Sequence, residues 1–310
     1  MDYNETYPLV SILIPTYNRP EYFRLALNSA LAQTYPNIEI IIGDDSTDNK
    51  TQKLIEETYL PLYENLTYIR NQPALGQFEN SLMLFDQAKG EYINFLMDDD
   101  LFYPEKIQKM MNFFIADKNE ELTLVTSFRK FIDKEGIDLA GGPLNMKIYE
   151  TDKIVSGIDL GNHILTSCHN YIGEPTTALF RKKTLTIPFG TLDGRIYNCS
   201  VDLATWIYLL SKGNAAYIAE PLSCFRLHAG QQYHTKLVEG VEDLTHLVTT
   251  SKKYGFLQYK QDRQQSLQKV FNWIINALMH QYHQAGEKGK VERLEQCLQV
   301  VQKELDLISF

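Results

Sequence analysis

The chain has 310 residues, enough for one large α/β domain with an appendage, and its 44% hydrophobic and 22% charged residues exclude a disordered chain. Net charge is −9 and unevenly spread: residues 236–310 hold ten Lys or Arg against nine Asp or Glu, so the acid excess lies before them. An acidic surface is a poor partner for nucleic acid, and if it takes a phosphorylated ligand a divalent cation is the economical offset to the repulsion.

The N-terminus, MDYNETYPLV, lacks a cationic stretch followed by an apolar core, so no secretory signal is expected. No run of about 18 apolar residues predicts a membrane span. Cys168, Cys199, Cys224 and Cys297 have no CxxC spacing, which argues against a zinc site or disulfide framework and is what a cytoplasmic protein would show.

In chain order, Val10–Ile14 reads as a buried strand and Pro20–Gln33 as a helix with Asn18 or Arg19 near its cap. Ile38–Ile42 is a second buried strand, Leu66–Arg70 a weaker third, and Gly76–Ala88 a helix with Phe78, Leu82 and Phe85 on one face. Tyr92–Met97 is a fourth strand, Pro104–Ala116 a helix and Leu122–Phe128 a fifth strand. Such alternation predicts a mainly parallel α/β sheet covered on both faces. Residues 129–230 are less regular: a turn-rich excursion around Gly136 and Gly141–Pro143, a strand region over 170–181, a helix over Val201–Lys212 and a strand over Ala215–Phe225. From Thr235 three apolar stripes at helical spacing follow one another, starting at Leu237, Leu267 and Val291. The expected organisation is a catalytic domain over 1–234 and an all-α three-helix subdomain over 235–310. In the tail, Trp273, Ile275, Met279, Tyr282, Leu307 and Phe310 fall off the stripes; packing on the catalytic domain, a homo-oligomer interface, and docking of a macromolecular acceptor all remain open for them.

In parallel sheets ligands sit beyond the carboxyl ends of the strands. Strand one runs into Pro15–Arg19, strand two into Gly43–Asp48, and strand four into Asp98-Asp99-Asp100, placing three polar clusters at one edge. There a carboxylate can accept a uracil N–H, an aromatic can stack on the base, and a carboxylate cluster can bind a hard cation that bridges phosphates. Each residue also has a plainer reading. Asp44 and Asp45 would suit a helix cap, as would Asp202; Tyr17 would suit packing and His228 a structural role. As functional groups, Asp202 would be a general base, His228 a metal ligand and Arg226 a phosphate contact.

Taken together these segments resemble glycosyltransferase family 2, over residues 8–232 and in that family's order. VSILIPTYNR is similar to its opening strand and nucleotide loop, IEIIIGDDSTD to its base-recognising strand, and GEYINFLMDDDLFYPEKI to its metal-binding DxD region. Gly173–Thr177, Val201-Asp202 and FRLHAGQQ resemble its donor and acceptor loop, its base motif and its closing Arg-x-His segment. The resemblance implies a GT-A fold and an inverting, metal-dependent transfer from a nucleotide diphosphate sugar, a UDP-sugar first, to a glycan or glycoprotein. It further implies that Thr16, Tyr17, Arg19, Asp44, Asp45, Asn80 and Asp98 hold the nucleotide, Asp99, Asp100 and His228 the Mn²⁺ or Mg²⁺, and Glu174, Thr176 and Arg226 the donor and acceptor, with Asp202 as base. Two rivals are weighed: a sugar-phosphate nucleotidyltransferase, which would want a Gly- and Lys-bearing loop where PTYNRPEY has neither, and a non-catalytic scaffold acting through its helical tail.

Overall fold

The computed structural model describes residues 7–140, 142, 145–228, 236–283 and 287–309. The elements run β1 (Val10–Thr16), α1 (Pro20–Leu31), β2 (Ile38–Asp44), α2 (Lys50–Leu54, continued by a π-turn over Ile55–Tyr59), β3 (Leu66–Arg70), α3 (Gln77–Gln87), β4 (Tyr92–Phe95), β5 (Leu101–Phe102), α4 (Lys106–Ala116), β6 (Leu122–Ile132), β7 (Lys153–Val155), α5 (Gly157–Ser167), β8 (Leu179–Arg181), β9 (Thr191–Leu192), β10 (Arg195–Ile196), α6 (Val201–Leu210), β11 (Asn214–Arg226), α7 (Leu237–Thr250), α8 (Lys260–His283) and α9 (Lys288–Ser309). By its contacts the chain divides into two compact units: 1–154, 172–189 and 214–228 form one, and 155–171, 190–213 and 229–310 the other.

The first unit is built on a sheet ordered β3-β2-β1-β4-β8-β6-β11-β5, with β7 beside β11. β1, β2, β3 and β4 pair in parallel, as do β6 and β11; β8 runs antiparallel to both its neighbours, and β5 antiparallel to β11. All seven residues of β1 are buried, which is why it reads as a continuous apolar run rather than an alternating one. One core gathers Ile12, Ile14, Ile40 and Ile42 with Phe23, Leu27, Met110 and Phe114, so α1 and α4 cover one face of the sheet. α3 packs against β1 and β2.

The expected α/β class with a mainly parallel sheet and C-terminal helices is therefore what forms. The strand region expected over 170–181 shortens to β8, because Thr176 and Thr177 are engaged in a turn whose hydroxyls bond two loop carbonyls and the Asp100 carboxylate.

In the second unit α7, α8 and α9 pack on one another, with Val241, Leu247, Leu267, Ile274, Leu294 and Val301 buried. Two earlier segments join them. α5 docks where Gly161 lets Phe256 approach; a Cβ there would sit 2.2 Å from the Phe256 ring. Ser266 Oγ donates to the Leu165 carbonyl at 2.7 Å. Of the off-stripe residues, Trp273, Met279, Tyr282 and Leu307 are exposed, Ile275 is half-buried, and Phe310 lies outside the described residues.

Candidate active site

The polar clusters do meet at the carboxyl ends of β1 and β2, and sequence-distant contacts hold them there. The loop after β1 turns at Asn18, whose φ of 54° is a left-handed conformation that Asn tolerates. Its side chain does not cap α1: Oδ1 accepts the Thr47 N–H at 2.9 Å, and its own N–H donates to Ser46 Oγ at 2.9 Å. The N-cap is Arg19, which makes no side-chain cap bond. The loops after β1 and β2 are thereby stitched into one floor.

On that floor the loop after β4 lands. Thr16 Oγ1 donates to Asp98 Oδ2 at 2.9 Å, and the Tyr17 N–H to the same oxygen at 3.3 Å. Arg19 Nη1 donates to Asp98 Oδ1 at 3.3 Å and to Asp99 Oδ2 at 2.8 Å. His228 Nε2 lies 2.9 Å from that Asp99 oxygen. Tyr22 of α1 braces the group, its ring 5.3 Å from the His228 ring and 4.9 Å from the Arg226 guanidinium. Thr16, Tyr17, Arg19, Asp98, Asp99 and His228 thus form one cluster. Burial, and next the Asp99 charge, push the Asp98 carboxyl up to about 6. Tyr17, 54% exposed, offers a free ring face rather than packing into the core.

The remaining residues sit deeper. Asp100, grouped with Asp99 as a metal ligand by sequence, is fully buried; its Oδ1 accepts the Arg226 N–H at 3.0 Å and its Oδ2 the Thr176 hydroxyl at 2.5 Å. Arg226 is buried too, bonding the Asp99 and Asp133 carbonyls at 2.8 and 2.9 Å. Both residues tie the DDD loop to β11 and to the 173–177 loop, in which Glu174 pairs with Arg129 at 2.7 Å. Burial, and next the Asp99 charge, also hold the Asp100 carboxyl above its usual range.

Neither Asp44 nor Asp45 caps α2; Asp48 bonds the Lys50 N–H instead. Asp44 accepts the Ser46 N–H and the Tyr68 hydroxyl at 2.8 and 2.7 Å. Asp45 accepts from Asn71 Nδ2, Leu75 N and Gly76 N at 2.8, 3.1 and 2.8 Å, organising the turn that launches α3. Asn80 joins them, donating to the Gly43 carbonyl at 2.9 Å and accepting from Asn71 at 3.1 Å. Asn71 and Tyr68 escape a sequence reading. The one hint is Gly43, since a glycine at a strand end marks a close approach.

Asp202 belongs to the second unit, in the first turn of α6. Its Oδ2 accepts from Asn170 Nδ2 at 2.9 Å and its Oδ1 from the Leu203 N–H at 2.8 Å. Among the described residues, no group of three or more His, Cys, Asp or Glu is arranged to hold a metal ion, and no helix is long and apolar enough to cross a membrane.

Comparison with known proteins points one way. The family model described as Glycosyl transferase family 2 matches residues 11–202. An uncharacterized glycosyltransferase of Rickettsia typhi is 30% identical over 240 residues, 76% of this chain and 70% of that protein. The putative teichuronic acid biosynthesis glycosyltransferase TuaG of Bacillus subtilis is 28% identical over 221 residues, 71% of this chain and 79% of its own length. Among solved structures, S. aureus TarS 1-349 in complex with UDP-GlcNAc aligns with a TM-score of 0.60 at 16% identity, covering 96% of this chain and 92% of that one. A longer TarS chain aligns at 0.56 and 18% identity, this chain spanning 55% of it. At those identities the structures establish a shared fold.

Proposed function

Since the chain belongs to glycosyl transferase family 2, we propose that it moves a sugar from a nucleotide diphosphate donor, a UDP-sugar first, to a hydroxyl of a glycan or glycoprotein, with inversion at the sugar carbon. The observation that carries this reading is the cluster of Thr16, Tyr17, Arg19, Asp98, Asp99 and His228 at the strand ends. The TarS complex with UDP-GlcNAc, a shared fold, supports uracil as the base.

In this reading the Tyr17 ring stacks on the base and Asp45, on the same floor, accepts its N–H at Oδ2, which has a second lone pair beside the one that takes the Gly76 N–H. Arg19 turns a guanidinium to the diphosphate, a role its planar fork suits. Asp99 and His228 fit a hard divalent cation, Mn²⁺ or Mg²⁺: such ions take one or two protein ligands and fill their shell with phosphate and water, so a full protein cage is not needed. Asp100, with both oxygens engaged internally, is left out of that set. The cation would neutralise charge on the departing diphosphate. Asp202, by its place in the family's base motif, takes the acceptor proton as the oxygen attacks; a single displacement needs no enzyme nucleophile. A second copy of this chain is the partner assigned to the exposed Trp273, Met279, Tyr282 and Leu307.

A screen of UDP-, GDP- and dTDP-sugars for nucleotide diphosphate release tests the assignment. Release from UDP-sugars is expected; release from GDP- or dTDP-sugars alone would overturn the choice of base, and release from none would overturn the donor class.

A further inference from the structure

Helix α6, which carries Asp202, receives no side-chain cap from its own N-cap residue, Ser200. The turn that leads into it, residues 198–200, is instead held by the helical tail. Asp243, on α7, is fully buried. Its Oδ2 accepts the N–H groups of Asn198, Cys199 and Ser200 at 3.0, 2.8 and 3.0 Å, and its Oδ1 accepts from Arg195 Nη2 at 3.1 Å. Gly240, one turn earlier on α7, lies beside the same turn; a Cβ there would make an ordinary contact, 3.4 Å from Cys199 Sγ. Lys236 Nζ donates to the Asn198 carbonyl at 2.9 Å.

A buried carboxylate is costly unless its lone pairs are filled, and here four donors fill them. Charge-assisted bonds to three successive N–H groups hold a turn in one conformation. That turn ends one residue before Val201-Asp202. From another segment, Asn170 donates to Asp202 Oδ2 at 2.9 Å and sets the direction of its carboxylate.

We propose that Asp243 is a positioning residue for the transfer reaction: it fixes the 198–200 turn that launches α6 and so places Asp202. The C-terminal helices then belong to the catalytic apparatus through α7. This rests on reading Asp202 as the base.

The test is Asp243→Asn, in which the amide presents a donor either to Arg195 or to the three N–H groups. The double variant Asp243→Asn with Arg195→Gln removes the donor–donor conflict and guards against simple unfolding. Nucleotide diphosphate release is followed on the donor that wild-type enzyme turns over, with UDP affinity measured by calorimetry. A misplaced base should lower kcat by about 10- to 100-fold, while the donor KM and UDP affinity stay within about twofold. An unchanged kcat in folded Asp243→Asn, a double variant no better than the single one, or equal losses in kcat and UDP affinity, would overturn the proposal. Asp202→Asn is measured beside it. If that variant keeps its turnover, the base reading fails and the proposal with it; if it loses turnover while Asp243→Asn does not, the proposal alone fails.

Discussion

Gly43→Ala sets two effects of opposite sign against each other. Gly43 does not occupy the left-handed region, so the backbone alone would favour alanine, by about 0.4–1 kcal/mol through the unfolded chain. Packing opposes it. A Cβ at this position would lie 2.1 Å from Asn80 Oδ1 and 3.1 Å from both Asn80 Cγ and Met83 Cε. The Asn80 amide is no loose surface group that can swing away; it is 2% exposed and bonds the Gly43 carbonyl and Asn71. Forcing it out costs about 1–3 kcal/mol of overpacking. Leaving buried partners unmatched costs about 1–3 kcal/mol more. The net is a destabilisation of about 3 kcal/mol, or roughly 6–12 °C in melting temperature for a domain of this size. UDP binding should weaken as well, because Asn71 leans on both Asn80 and Asp45. Differential scanning calorimetry with and without UDP reads both quantities. An alanine variant as stable as the wild type, or more so, would refute the packing argument.

Asp202→Asn keeps the shape of the side chain and its contact with the Leu203 N–H but removes proton acceptance, so turnover should fall by roughly a hundredfold or more while UDP affinity holds; a near-normal rate would return Asp202 to a capping role. Asp98 carries a pH signature. Its folded value of about 6 lies above the ordinary 3.8, so the unfolded chain gives up the proton first and Asp98 costs stability as pH rises between those values. Asp98→Asn should therefore melt above wild type at pH 7, with the gap closing towards pH 4, and a gap that widens on acidification would contradict the sign.

What could be read from the sequence is what depends on local apolar pattern. The buried runs of β1, β2 and β4 and the stripes of α7, α8 and α9 are period signals that survive without knowledge of neighbours. The polar clusters were legible because they directly follow those strands. α5 was not, because Gly157 and Gly161 look like loop residues until Phe256 is seen against Gly161; its start signal, Ser156 accepting the Asp159 N–H, was there to find. The β9–β10 hairpin was missed too, although its turn, Asp193-Gly194, is the pair a tight hairpin with two positive φ angles favours. Contacts such as Asp45 with Asn71, or Asp243 with the 198–200 turn, join residues 26 to 45 apart along the chain, and no local pattern encodes them. Nor does a single cut describe the two units, since the chain passes between them several times.

The proposed nucleotide-sugar transfer depends on a divalent cation held at Asp99. The most direct measurement is UDP release from UDP-N-acetylglucosamine and related UDP-sugars, compared for wild type with Mn²⁺, wild type in EDTA, and Asp99→Ala with Mn²⁺. Release is expected only in the first. Equal release in all three would rule out a cation at Asp99.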